Sequence, residues 1–426
     1  MGTSAAAGAS FGKSVRSHLQ MSDNEVLLHR CRGLARSKPA EALVLLWQLL
    51  RGQHDALEHG FDRDRCTAEA EVALAALHGE RLPPKVHPAA LLSAVDRYLA
   101  ALEAGYEPRA RRVRLPGGEE FFLVPRRAGW ASRFARDQAG QIEYWLRRHQ
   151  VVPVSHGGIR VEITRPERGV LRGFAGRQLR CVAGGFPDGV KPDWNTSSPF
   201  HCQCLRDPDR RWASMERFLV QAEGNEAAVV VLPELTVDAA LRARISDWLR
   251  GRRSRRRPAL LVAGSFHEEG LPAGKAPRRN VARVLDGYGS EVFLHTKLRP
   301  MRATPGEGTV DEAIEGASAL TLLHASFGLI GVAICLDFCE SGGVPVASLW
   351  EAVGPALMLV PSMGRESTNN AHRARAKPLS LQHGTVTVVA SQHPEGIEAL
   401  GFLWDGAGEE SRATPVLAAD FAWTSD

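Results

Sequence analysis

Between residues 178 and 392 the chain repeatedly enters short stretches that carry almost no charged side chain and are mostly apolar. They include AAVVVLPEL (227–235), PALLVAGSF (258–266), two strands within SALTLLHASFGLIGVAICLD (318–337), PALMLVPS (355–362) and GTVTVVASQ (384–392). A strand that is apolar on both faces has to be covered on both faces, which points to buried, layered sheets rather than to a sheet with one wet side. QLRCVAGGF (178–186), and NVARVLD with SEVFLHTKL inside 280–298, are further strand candidates. Helical patterns such as RRWASMERFLVQAEG, VDAALRARISDWLRG and VPVASLWEAVG lie between several of them. The reading is an α/β fold, and in such folds polar residues at the carboxyl ends of strands are where sites are built.

The earlier part of the chain has a different texture. From Asn24 to Leu102, apolar residues recur at three- and four-residue spacing in NEVLLHRCRGLA, PAEALVLLWQLLRGQ, TAEAEVALAALHGERL and HPAALLSAVDRYLAALEAG, with breaks at Lys38-Pro39 and Pro83-Pro84. A hairpin is predicted over RRVRLPGGEEFFLV, turning at Pro116-Gly117-Gly118, then a helix at AGQIEYWLRRH and a strand-like VVPVSHGGIRVEITRP. At 426 residues the chain exceeds the about 250–300 residues at which a single core stops growing, so two domains are expected. We place a loose tail at 1–23, a mainly α-helical N-terminal domain at 24–173 and the α/β domain at 174–426.

Several function classes drop out. No apolar run approaches the roughly 18–20 residues of a membrane span, and MGTSAAAGASFGKSVRSHLQ lacks the apolar centre of a secretory signal, so a cytoplasmic protein is expected. Seven cysteines, an odd number irregularly placed, argue for reduced thiols rather than a disulfide framework. His201-Cys202-Gln203-Cys204 has no clear second ligand pair, so neither a zinc site nor any other metal or cofactor is expected; the stretch 188–209 reads as a loop over the pocket. The arginine runs PRARRVR (108–114) and RGRRSRRRP (250–258) stand in a chain of net charge only +5 and read as solvated loops rather than as a nucleic-acid surface. Lysine is scarce, with seven in the chain, so one inside an apolar strand context stands out.

Three strand ends carry chemistry. Glu234 follows the proline that ends VVVLPEL, Lys297 ends FLHTKL, and Cys335 ends GLIGVAIC. A thiol of ordinary pKa about 8.5 is mostly protonated at neutral pH; a carboxylate can take its proton and a nearby cation stabilises the thiolate. Glu234 is therefore expected as general base and Cys335 as nucleophile. Lys297, with the backbone N–H of Leu336, is expected to hold the oxyanion of a tetrahedral intermediate. Cys339 reads as a packing residue.

The order Glu, Lys, Cys in VVVLPEL, FLHTKLRP and GVAICLDF resembles the nitrilase, or carbon-nitrogen hydrolase, superfamily, as do PALMLVPS and the helix NNAHRARAKPLSLQHG leading into TVTVVASQ. The likeness covers about residues 178 to 395. It implies an α-β-β-α sandwich and a Glu234-Lys297-Cys335 triad that cleaves the carbon-nitrogen bond of a small amide, or of a nitrile, through a covalent thioester. Many members carry a second active-site glutamate after the lysine; Glu307 is the first candidate here and Glu312 the second. Members often have an aromatic residue after the cysteine and a Phe-Pro-Glu stretch beyond it, where this chain reads CLDFCESGG, with Glu340 standing in for that glutamate. The C-terminal segment is similar to the family's final strands and tail, a region of dimer contacts, which raises a homo-oligomer. Loops 188–209, 266–279 and 300–316 are expected to shape the pocket. The alternatives are acyl transfer from the same cysteine to an amine, and a regulatory or effector protein whose helical N-terminal domain binds a protein partner or nucleic acid.

Overall fold

The computed structural model of the chain describes residues 25–51, 62–79, 81–126, 142–166, 178–186, 189–195, 199–253, 257–270, 276–303, 310–339, 346–392, 401–405, 410–412 and 416–422. They form two compact units, one of residues up to Val151 and one from Val152 onward.

The smaller unit holds helices at 25–37, Pro39–Arg51, Arg63–His78 and Pro88–Glu103. Pro88 sits at the first helical position, where its missing N–H costs nothing, and the His87 ring caps the start by accepting from Ala89 N. Leu43, Leu46, Leu50, Leu91, Leu92 and Val95 fill the core. The predicted hairpin forms from Arg111–Arg114 and Glu120–Pro125, and a strand starting at His149 makes it a three-stranded sheet. Of the predicted helix before that strand, Ile142–Trp145 is helical and residues 146–148 are not, while its first three residues lie outside the described ones. Asp96 is fully buried and fully used: Oδ2 accepts Arg147 N and Arg148 N at 2.8 Å, and Oδ1 meets His149 Nδ1 at 2.8 Å. His149 Nε2 is 2.9 Å from Glu103 Oε2. Burial pushes the His149 imidazole down, but the two carboxylates outweigh it and hold its pKa above the ordinary value.

The larger unit is mixed α/β, built on two sheets. The first, of seven strands, has the parallel strands Gln178–Gly184, Val229–Val231 and Leu260–Val262 at its centre; Leu260–Val262 pairs antiparallel with Ala276–Asp286, which also takes Glu291–Thr296. In the second, of eight strands, Gly328–Val332, Leu357–Ser362 and Val386–Ser391 run parallel, and Ala319–Ala325 folds back antiparallel on the first of them. Parallel central strands explain the uniformly apolar runs. Ile159–Thr164, ahead of the boundary expected at 173/174, pairs in parallel with Ala319–Leu323 of this sheet.

Alternation along the strands sorts the side chains into layers. Val229, Val231, Leu260 and Val262 meet Ile330, Val332, Leu357 and Leu359 in one core between the sheets. Val230 and Leu261 point the other way, against Phe218, Leu219, Ile245 and Leu249 of the helices Pro208–Gly224 and Ala239–Gly251. On the outer side of the second sheet, a Cβ on Gly331 would lie 2.7 Å from Met358 Sδ and 2.9 Å from the Trp350 ring, so only glycine admits the helix Val346–Val353 this close. Each fully buried Val or Leu in these layers contributes about 1.5–3 kcal/mol.

Two stretches expected as loops contain ladders. Within 188–209, Pro192–Asn195 pairs with His201–Leu205; within 266–279, Phe266–Gly270 pairs with the start of Ala276–Asp286. Their residues mix polar and apolar side chains on half-exposed strands, so they lack the apolar signature of the buried ones. Among the described residues no helix is long and apolar enough to cross a membrane.

Candidate active site

The three residues picked out at strand ends converge. Glu234, Lys297 and Cys335 are 3%, 1% and 1% exposed, so their interactions are set by each other and not by bulk water. Glu234 forms a parallel bridge with Ser265 at the neighbouring strand end, and its N–H donates to Ser362 O across to the second sheet. Lys297 N donates to Asn280 O, continuing the antiparallel ladder. Cys335 has φ +48 and Leu235 φ +54, a left-handed conformation that costs a non-glycine residue of order 1–3 kcal/mol. The turn at Cys335 is held by its N–H donating to Pro361 O at 2.9 Å and its carbonyl accepting Phe338 N at 3.0 Å. It lifts the thiol off the strand and starts the one-turn helix Leu336–Cys339.

Lys297 is the hub of the site. Its Nζ donates to Glu234 Oε1 at 2.9 Å and to Glu312 Oε2 at 2.8 Å. Asn280 Nδ2 donates to both carboxylates, at 3.0 Å to Glu234 Oε1 and 3.0 Å to Glu312 Oε1. Backbone N–H groups complete them: Met363 N donates to Glu234 Oε2 at 3.1 Å and Met301 N to Glu312 Oε2 at 2.7 Å. His267 adds a further donor. Its Nδ1 accepts Cys202 N at 2.8 Å, which leaves the proton on Nε2, 2.8 Å from Glu312 Oε1. A buried ion pair repays its desolvation only when such hydrogen bonds are complete, and here every oxygen of both carboxylates has a donor.

The charges follow. Burial drives the Lys297 ammonium toward neutrality, but Glu234 and Glu312 outweigh it and raise the pKa well above the usual lysine value. Burial likewise pushes the Glu312 carboxyl up, and Lys297 with His267 overrides it, holding the group well below the carboxylate range. Burial, then the Glu234 charge, pushes the Cys335 thiol up against the pull of Lys297. The resting site is therefore a neutral thiol beside an ammonium clamped by carboxylates.

Cys335 Sγ lies 3.8 Å from Met363 O and accepts from Ser362 Oγ at 3.4 Å. Asp337 ties the nucleophile's turn to the lysine's strand, since its Oδ2 accepts Leu298 N at 2.7 Å while its carbonyl accepts Trp350 Nε1 at 2.7 Å. Leu336, whose N–H was expected to face an oxyanion, opens the helical turn, where a backbone N–H has no acceptor within the helix.

Of the two candidates for a second glutamate, Glu312 is in the site; Glu307 and Glu340 lie outside the described residues. The hairpin ending at Leu205 supports Glu312 from behind, with Phe200 bridging to it and Phe200 N donating to Asp311 O at 3.0 Å. Asn280, His267, Asp337 and Ser362 were not singled out in the sequence. The available signal was a polar residue at the end of an apolar run, as in NVARVLD for Asn280 and PALMLVPS for Ser362. None of the seven cysteines is disulfide-bonded. Among the described residues no cluster of three His, Cys, Asp or Glu could hold a metal ion.

No family model and no curated protein sequence matches the chain. Solved structures do. The NitFhit protein of C. elegans is similar over 58% of this chain at 14% identity and a TM-score of 0.44; the match spans 62% of that protein, under two thirds of its length. An amidase from Nesterenkonia sp. is similar over 58% of this chain and 91% of its own at 17% identity and a TM-score of 0.41. Nit3 of Saccharomyces cerevisiae, a member of branch 10 of the nitrilase superfamily, covers the same shares at 15% identity and a TM-score of 0.41. At this distance the chemistry has to come from the chain's own residues.

Proposed function

We propose that the larger unit is a cysteine-dependent hydrolase of small amide-type carbon-nitrogen bonds, on an α-β-β-α sandwich of the nitrilase type. The observation that carries the reading is Lys297, fully buried and held between Glu234 and Glu312 next to the Cys335 thiol. A structural lysine has no need of two buried carboxylates, an asparagine shared between them and a thiol on a strained turn.

In this reading Glu234 takes the Cys335 proton as Sγ attacks the amide carbon. Lys297 and the Leu336 N–H stabilise the oxyanion that forms. Collapse of the tetrahedral intermediate breaks the carbon-nitrogen bond; the proton on Glu234 goes to the departing nitrogen, and ammonia or an amine leaves a thioester on Cys335. Water, deprotonated by Glu234, then attacks the thioester and releases the acid and the thiol. Glu312 holds Lys297 charged and aimed. The thiol's raised pKa suits this scheme, because proton transfer is coupled to attack and no free thiolate has to be stored in the core.

The test is ammonia release from a panel of small amides and nitriles by the full chain, with intact-mass detection of an acylated Cys335. Cys335→Ala should abolish turnover and the adduct while leaving the circular dichroism spectrum unchanged. Turnover that survives in this variant overturns the proposal.

A further inference from the structure

Behind the nucleophile stands a second hydrogen-bonded group that the scheme above does not use. Ser362 Oγ lies 3.4 Å from Cys335 Sγ on one side and 3.0 Å from His372 Nε2 on the other. Both residues are fully buried, and His372 comes from the helix Glu366–His383. Its Nδ1 has no partner among the described residues.

We infer that His372 and Ser362 form a donor chain to the nucleophile, in which His372 Nε2–H donates to Ser362 Oγ and the Ser362 hydroxyl donates to Cys335 Sγ, stabilising the sulfur as it gains negative charge. Ser362 is then a catalytic residue, in contact with the reacting atom, and His372 a positioning residue that acts through it. The direction of the chain follows from the Ser362 hydroxyl donating to Cys335 Sγ, and a count of protons then fixes the histidine tautomer. A neutral imidazole has one N–H; a hydroxyl that gives its proton to sulfur can only accept from Nε2, which leaves Nδ1 as a bare acceptor.

The opposite direction, thiol to serine to histidine, would make His372 the base. Burial works against that, with Arg373 adding to it, and lowers the His372 pKa to about 3. A ring that resists protonation to that degree cannot hold the thiol proton at neutral pH. The proton goes to Glu234 and none travels along the chain; the serine and histidine keep theirs throughout. Burial acts most strongly on the thiol's ionisation, and the groups that add to or oppose it are Glu234, Lys297 and Cys339 by charge and Ser362 by hydrogen bond. Of these, Ser362 favours the thiolate without a charge of its own.

This inference rests on Cys335 being the nucleophile, but its test reads the sulfur directly. The pH dependence of iodoacetamide alkylation at Cys335, followed by peptide mass spectrometry on the full chain, reports the thiol's ionisation whether or not any amide is hydrolysed. Ser362→Ala should raise the apparent pKa of alkylation by about one and slow the reaction at pH 7.5 about tenfold, the size of one hydrogen bond to a charged group. Ser362→Thr, which keeps the hydroxyl, should return most of the wild-type profile. His372→Phe should shift the profile in the same direction as Ser362→Ala, and His372→Gln, whose amide N–H can still donate, should shift it less. Should Ser362→Ala lose its near-ultraviolet dichroism, the two His372 variants make the same comparison. An alkylation profile in folded Ser362→Ala that overlays the wild type overturns the inference, as does a larger shift in His372→Gln than in His372→Phe. Shifted profiles in a protein that releases no ammonia from any amide or nitrile overturn the hydrolase reading and leave the donor chain standing.

Discussion

Lys297 and Glu312 lie fifteen residues apart in the chain and meet at 2.8 Å inside a core from which both are almost wholly hidden from water. After Glu234, this contact does most to keep a lysine charged where burial alone would strip its proton. Replacing Glu312 by Gln preserves shape and removes the charge, so Lys297 would lose part of its electrostatic support. We expect turnover to fall roughly 10²-fold, the scale for weakening one oxyanion donor, with unfolding by urea changed far less. Ammonia release within twofold of wild type in Glu312→Gln would exclude this role.

The reverse truncation acts on the fold. Lys297→Met leaves Glu234 and Glu312 facing each other through Asn280 with no cation between them. Removing one partner of a buried ionic group costs about 3–5 kcal/mol, because the remaining charges cannot regain water. The loss should appear as a lower urea midpoint at neutral pH and shrink on acidification, as Glu312 takes up a proton and the repulsion is relieved. A midpoint unchanged at pH 7 would mean the site is wetter than it looks.

Gly331 offers a test remote from the charges. Ala there would press on Met358 Sδ and the Trp350 ring, whose Nε1 donates to the carbonyl of Asp337, two residues past the nucleophile. Overpacking of this kind costs about 1–3 kcal/mol. We expect a lower melting temperature together with a reduced kcat at near-constant KM; a lower melting temperature with kcat untouched would show that the Trp350 contact does not reach Cys335.

In the smaller unit, the prediction concerns pH. His149 has a folded pKa raised by Asp96 and Glu103, so its stabilising contribution is complete below the ordinary histidine value of about 6.5 and is lost as pH rises through the higher folded value. Amide exchange in Pro88–Glu103 should therefore accelerate on going from pH 6 to pH 9 by more than the intrinsic chemical rate. His149→Gln should remove the excess. An excess that persists in that variant would assign it to another group.

The elements of the site were legible to different degrees. Glu234 and Cys335 follow stretches of buried strand, where a charged or nucleophilic residue breaks the apolar pattern visibly, whereas Lys297 follows the half-exposed strand Glu291–Thr296 and stands out because lysine is scarce. Glu312 was harder to rank above Glu307, since its place depends on the pairing of Arg302–Ala303 with Val310–Asp311 and on the bridge from Phe200, over a hundred residues earlier. His267 and Asn280 reach the carboxylates through the antiparallel register of Phe266–Gly270 with Ala276–Asp286, which periodicity alone cannot assign. The same limit hid the partner of Ile159–Thr164. Its alternation marks a strand, but the strand it joins begins at Ala319.

Three consecutive residues at the end of Leu357–Ser362 touch both sides of the proposed reaction. The Pro361 carbonyl holds the Cys335 N–H, the Ser362 hydroxyl meets its sulfur, and Met363 N holds the Glu234 carboxylate. The spacing of acid and base is thereby gauged by two peptide units of one strand, in the interior of the unit and independent of the surface loops. Surface loops can lengthen, shorten or exchange their side chains without retuning that gauge. In the hydrolase reading, what is selected and how it is cut would be separately adjustable properties of the same fold.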